Sequence, residues 1–176
     1  MKSLLRYILA LSLIVATATP ALAENKGEKE IRALLNDALS AFKAKDLDKM
    51  MSFYDHSASL VAYDVVPPVQ YTGWDSYKKD FGDFFALFDG PISDEASDMA
   101  ILAEGKLGYS RMIEHVTGKQ KNGQPMDMLV RVTDVYRKNK GKWLIIHEHV
   151  SVPLSTSQTK VATSHHRALA ASGASK

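Results

Sequence analysis

A chain of 176 residues with no cysteine, 45% hydrophobic and 24% charged residues holds enough apolar material for one packed core, and no disulfide can support it. The net charge of +2 sits at the ends: setting aside Lys2, Arg6, Lys160, Arg167 and Lys176 leaves −3 on residues 24–154. A weakly acidic body gives no electrostatic footing for nucleic acid.

In chain order, Lys2 and Arg6 precede an apolar run from Ile8 to Ala18 that is short for a membrane span, and Ala21-Leu22-Ala23 has the small-x-small pattern of a cleavage site. This predicts an export signal over residues 1–23, cleaved after Ala23, and a periplasmic or secreted protein. No later run is apolar enough to span a bilayer, so no membrane contact is expected after cleavage. Ile31, Leu34, Leu35, Ala38 and Phe42 form one apolar stripe and predict a helix over 28–45. Asp46 is placed to cap a short second helix running to about Tyr54. Ala58 to Tyr63 reads as a strand, and Pro67-Pro68 excludes a helix or central strand after it. Thr72-Gly73-Trp74-Asp75 has capping-box spacing and predicts a third helix. Its stripe is aromatic (Trp74, Tyr77, Phe81, Phe84, Phe85, Phe88), and Asp89-Gly90-Pro91 ends it.

The rest reads as strands, over 97–102, 106–119, 126–138 and 142–153, with turns at Gly105, Asn122-Gly123 and Gly141. Residues 155–176 are rich in Ser, Thr and Ala and read as a flexible tail. Helices followed by a long antiparallel sheet define an α+β class, with three N-terminal helices packed in a curved sheet whose open end leaves an apolar pocket.

The segments AFKAKDLDKMMSFYDHSASL, YTGWDSYKKDF and RVTDVYRKNKGKWLIIHEHVSVP, in this order, resemble the SnoaL-like and ketosteroid isomerase-like proteins of the nuclear transport factor 2-like superfamily, over residues 28–154. The resemblance implies a cone-shaped fold, a small apolar or carbonyl-bearing ligand, and, if the chain is an enzyme, cofactor-free isomerase or lyase chemistry. It places Asp134 at the strand position of the protonated Asp that donates to an enolate oxygen, and Asp64 near the position of the base. The family's first-helix tyrosine falls on Ala38. The Arg-x-Asp pair of the superfamily's epoxide hydrolases is not matched, since Arg131 and Asp134 are three apart and point to opposite faces. The last strand is also similar to the association domain of calcium/calmodulin-dependent protein kinase II, which implies the alternative of a non-catalytic oligomerisation or interaction module.

Residues on the final hairpin carry most of the chemistry. A three-residue Asn139-Lys140-Gly141 loop pairs Lys138 with Lys142, Asp134 with Ile146 and Val132 with Glu148. Val132, Asp134, Tyr136, Ile146, Glu148 and Val150 then share the pocket face, and Trp143, His147 and His149 the other. Asp134 is the leading candidate acid or base, with Asp64 as its partner. Tyr63, Trp74, Tyr136, Ile146 and Glu148 are expected to line the pocket. Glu148 has an alternative as a salt bridge to Arg131 or Arg111. His147-x-His149 would need His115 to complete a metal site, and neither metal nor cofactor is expected. The outer sheet face is the expected homodimer surface.

Overall fold

The apolar stripe of the first helix becomes the buried face of α1 (Lys26–Ala44) in the computed structural model, which describes residues 23–153. Ile31, Leu34, Leu35, Ala38 and Ala41 are buried. Asn25 caps α1 reciprocally: its side chain accepts from Glu28 N at 3.0 Å, and Glu28 accepts from Asn25 N at 2.8 Å. Lys45 ends the helix in the left-handed conformation, and Asp46 caps α2 (Leu47–Met51) by accepting from Lys49 N at 3.0 Å. Residues 1–22 of the leader expected over residues 1–23, and the tail expected over 155–176, lie outside the described residues.

Two short strands, β1 (Val61–Tyr63) and β2 (Tyr71–Thr72), precede α3 (Trp74–Ala86). The capping box expected at Thr72 does not form. Thr72 belongs to β2, and Gly73 takes the N-cap position at φ 85°, a conformation that residues with a Cβ rarely adopt. Asp89-Gly90-Pro91 does not serve as a terminator either, because α3 stops at Ala86 and β3 (Phe88–Glu104) runs through these residues. β3 is an edge strand, where proline is tolerated, and its register shifts between Phe88 and Ile92.

With β4 (Leu107–Gln120), β5 (Pro125–Asn139) and β6 (Lys142–Ser151), the sheet has the order β2-β1-β6-β5-β4-β3. The four long strands are antiparallel, but β1 lies parallel to β6, so the sheet is mixed rather than wholly antiparallel. It is curved around the helices without closing into a barrel. At one end α1 sits hard against the sheet: a Cβ at Gly108 would collide with Ile31 Cδ1. At the other end an aromatic cluster joins Phe42 of α1 to Phe81, Phe84 and Phe85 of α3.

The β5–β6 hairpin differs from its expected register in two ways. Its loop has two residues, Lys140 (φ 47°) and Gly141 (φ 85°), with Asn139 paired to Lys142; both central residues at positive φ is the pattern of a type I′ turn. A bulge then leaves Ile146 unpaired, between Tyr136↔Ile145 and Val135↔His147. Before the bulge Trp143 and Ile145 point inward, contrary to the expected outward Trp143. After it Glu148 points inward, as expected, and directly opposite Asp134. The bulge restores the parity that the shorter turn had changed.

Candidate functional site

Between the concave face of the sheet and the helices lies a cavity of about 400 Å³, walled largely by apolar groups such as Leu35, Phe42, Met112, Met128, Val132 and Ile145. Among the described residues that line it, seven are acidic and none is basic. Asp134, Glu148 and Asp64 are among them; Tyr63, Trp74, Tyr136 and Ile146 are not. Each exclusion has a physical reason. Tyr63 points outward, 39% exposed, and packs edge-on against His147 and His149. Trp74 donates its indole N–H to Met51 O at 2.9 Å and stacks on His56. Ile146 is the bulge residue. Tyr136 is fully buried one layer behind the wall, where its hydroxyl serves Asp134.

Register builds the centre of the site. Ser110 of β4, Asp134 of β5 and Glu148 of β6 are cross-strand neighbours in one row. All three are buried. Asp134 Oδ2 accepts from Tyr136 OH at 2.8 Å and from Ser110 Oγ at 3.1 Å. Glu148 Oε2 accepts from Tyr54 OH at 2.7 Å and Oε1 from Tyr77 OH. Tyr77 OH also lies 3.3 Å from Asp64 Oδ2, so one hydroxyl links the half-buried Asp64 to the buried pair. A phenol has a single proton to donate, so Tyr77 can satisfy only one of these two acids at a time.

Removal from water dominates the electrostatics. Burial pushes Asp134 up to about 6, against the opposing hydrogen bonds of Tyr136, Ser110 and Glu148. Glu148 is driven well above the carboxylate range by burial first and by the charge of Asp134 second. Two facing carboxyls in an apolar wall resist ionising together, which favours one of them keeping a proton. Asp64 is raised by burial, with the Val65 amide hydrogen bond opposing. Chemically, such a pair can donate a proton, and a carboxylate raised as Asp64 is can accept one more readily than a solvated carboxylate.

The histidines stand on the outer face. His147 Nδ1 bonds Val61 O at 2.8 Å, and His115 Nε2 pairs with Asp127 at 2.8 Å, leaving no third ligand for His147 and His149. Among the described residues no group of three His, Asp or Glu is placed to hold a metal ion. Arg111 pairs with Asp98 at 3.0 Å, so the alternative Arg111 bridge to Glu148 is not made. Sequence reasoning missed Tyr54, Tyr77 and Ser110 as partners, and Asp94 and Glu114 as lining acids. The inward parity of β4 was the available signal for Ser110 and Glu114.

A mixed, curved sheet cupping three helices over an acid-lined apolar cavity defines the class of protein. The chain belongs to the SnoaL-like domain family, whose model matches residues 31–155. No curated protein matches the chain. Among solved structures it is similar to a nuclear transport factor 2-like protein of unknown function from Pseudomonas putida KT2440, with TM-score 0.67 and 25% identity over 75% of this chain and 90% of that one. A superfamily protein from Salmonella enterica serovar Typhimurium LT2 gives TM-score 0.66 and 21% identity over 73% and 92%. A ketosteroid isomerase-like protein from Erwinia carotovora atroseptica gives 0.62 and 18% over 74% and 100%. The last two likenesses speak for the fold alone.

Proposed function

We propose that this chain binds a small, largely apolar, carbonyl-bearing molecule in the cavity and acts on it by cofactor-free acid–base chemistry of isomerase or lyase type. The observation that carries this reading is the buried Asp134–Glu148 pair on the cavity wall, held by four hydroxyls. A ligand carbonyl oxygen accepts the proton-bearing carboxyl's hydrogen bond. Asp64 takes a proton from the neighbouring carbon, and charge builds on the oxygen where the donor waits. Returning that proton at another carbon gives an isomer; loss of a β-hydroxyl with a proton gives water and an alkene. The family's first-helix tyrosine is Ala38 here, and Tyr54 and Tyr77 supply phenols from α2's end and α3 instead. The test uses 2-tetralone, an enolisable ketone, in D₂O. NMR should show α-proton exchange faster than buffer and lost in Asp134→Asn; no binding and no acceleration would overturn the reading.

The first 23 residues support export as part of the same proposal, checked by whether the protein recovered from a bacterial periplasm begins at Glu24. The rival reading, an assembly module, has its support on the outer sheet face, where Leu129 is 58% exposed. Homodimerisation through that face is tested by light scattering of wild type and Leu129→Glu.

A further inference from the structure

Asp94 and Glu114 also line the cavity, on diagonal positions of β3 and β4: Asp94 lies opposite Val116, and Glu114 opposite Ala96. Asp94 is 2% exposed, and its Oδ1, like Asp134 Oδ1, has no hydrogen-bond partner. Among the described residues neither acid makes a side-chain hydrogen bond or an ion pair, whereas other lining acids are engaged. Asp80 accepts from Tyr71 OH at 2.6 Å, and Asp83 pairs with Lys79. Lys43 on α1 is the nearest favourable charge to Asp94, but it is exposed and makes no ion pair with it. A bare carboxyl is costly where it is buried, as Asp94 is, and half-buried Glu114 beside it meets no donor either, whereas every other acid of this cavity meets at least one. The surroundings are Phe84, Val116, Met126 and Met128, which offer no donor.

We infer that Asp94 and Glu114 form a second subsite that takes the protonated amine of an organic cation, so that the ligand is an apolar molecule with an amine at one end. This rests on the proposed ligand-binding role of the cavity and names the class of its ligand. A metal ion fits less well, since no three potential ligands converge among the described residues. Ser110 and Glu114 stand four residues apart on β4, about 13 Å along a strand. A ligand with its amine at Glu114 and its polar group at Asp134 is therefore extended. Burial raises both Asp94 and Glu114, the charge of Asp94 raises Glu114 further, and an ammonium group relieves that repulsion.

Isothermal titration at pH 8 with 4-phenylbutylamine and its neutral isostere 4-phenylbutan-1-ol tests the inference. The purified protein should bind the amine at least about tenfold more tightly, roughly 1.4 kcal/mol. Asp94→Asn/Glu114→Gln should bring the two within about threefold by weakening the amine. An amine bound no better than the alcohol overturns the inference and leaves the cavity reading standing. Failure of both probes to bind overturns both. A preference that survives in the double variant but disappears in Asp134→Asn overturns the assignment of the subsite. The comparison of the two probes on wild-type protein needs no variant to fold.

Discussion

The two ends of the cavity hold the same chemical groups under opposite conditions. At one end Asp134 and Glu148 sit in a row with Ser110 and receive four hydroxyl donors, one of them from Tyr77 on α3 and one from Tyr54, which bridges to β6 beyond α2. At the other, Asp94 and Glu114 are raised by the same burial and receive none. The difference separates two uses of a buried acid. Donors fix a carboxyl in place and keep it ready for proton transfer, whereas a carboxyl without donors is completed by what binds it.

The largest effect expected from breaking this contrast is on rate. Asp134→Asn should slow 2-tetralone exchange by at least about 100-fold, the scale of a lost general acid or base, while Asp94→Asn changes it by less than about threefold. Equal losses at both ends would erase the distinction. Next comes stability at the donor end. Tyr77→Phe removes a hydrogen bond to a buried carboxyl and should cost about 1.5–3 kcal/mol in urea denaturation. An unchanged midpoint would mean that the donor does not hold Glu148.

Linkage to pH sharpens the comparison further. Asp134 and Asp94 are raised when folded from 3.8 to about 6, so between those values the native chain binds more protons than the unfolded chain. Their contribution is therefore most favourable below the window and is lost as pH rises through it. Asp134→Asn should stabilise the protein at pH 8 by ~1–3 kcal/mol and flatten the urea midpoint's dependence on pH. Asp94→Asn should stabilise it by a similar ~1–3 kcal/mol, because the rise to about 6 already includes the offset from Lys43. Smallest of all is the convex face: His149→Ala should shift stability by no more than about 0.5 kcal/mol and leave exchange unchanged.

Much of the frame was readable from side-chain periodicity. The stripe from Ile31 to Phe42 and the four long β runs carry a strong, repeated signal, and Asp134 and Glu148 reach the cavity face. The hairpin shows where that reading ends. The pairing of Asp134 with Glu148 depends on a two-residue turn and a bulge at Ile146, and each alone would flip the parity of β6. Trp143 was lost to the outer face for that reason. Tyr77 was legible only as one more aromatic of the α3 stripe, because what turns it into a hydrogen-bond donor is a glutamate 71 residues away. Thr72 matched a capping pattern, but the positive φ of Gly73 settles how α3 begins.

Carbon-13 carboxyl NMR, followed from pH 4 to pH 9, asks whether the cavity pair keeps a proton at neutrality. The account predicts that Glu148 stays at its protonated position through pH 7, and that replacing Asp134 with Asn lowers the pH at which it ionises. A Glu148 signal that ionises fully in the ordinary carboxylate range, with no response to that replacement, would contradict it.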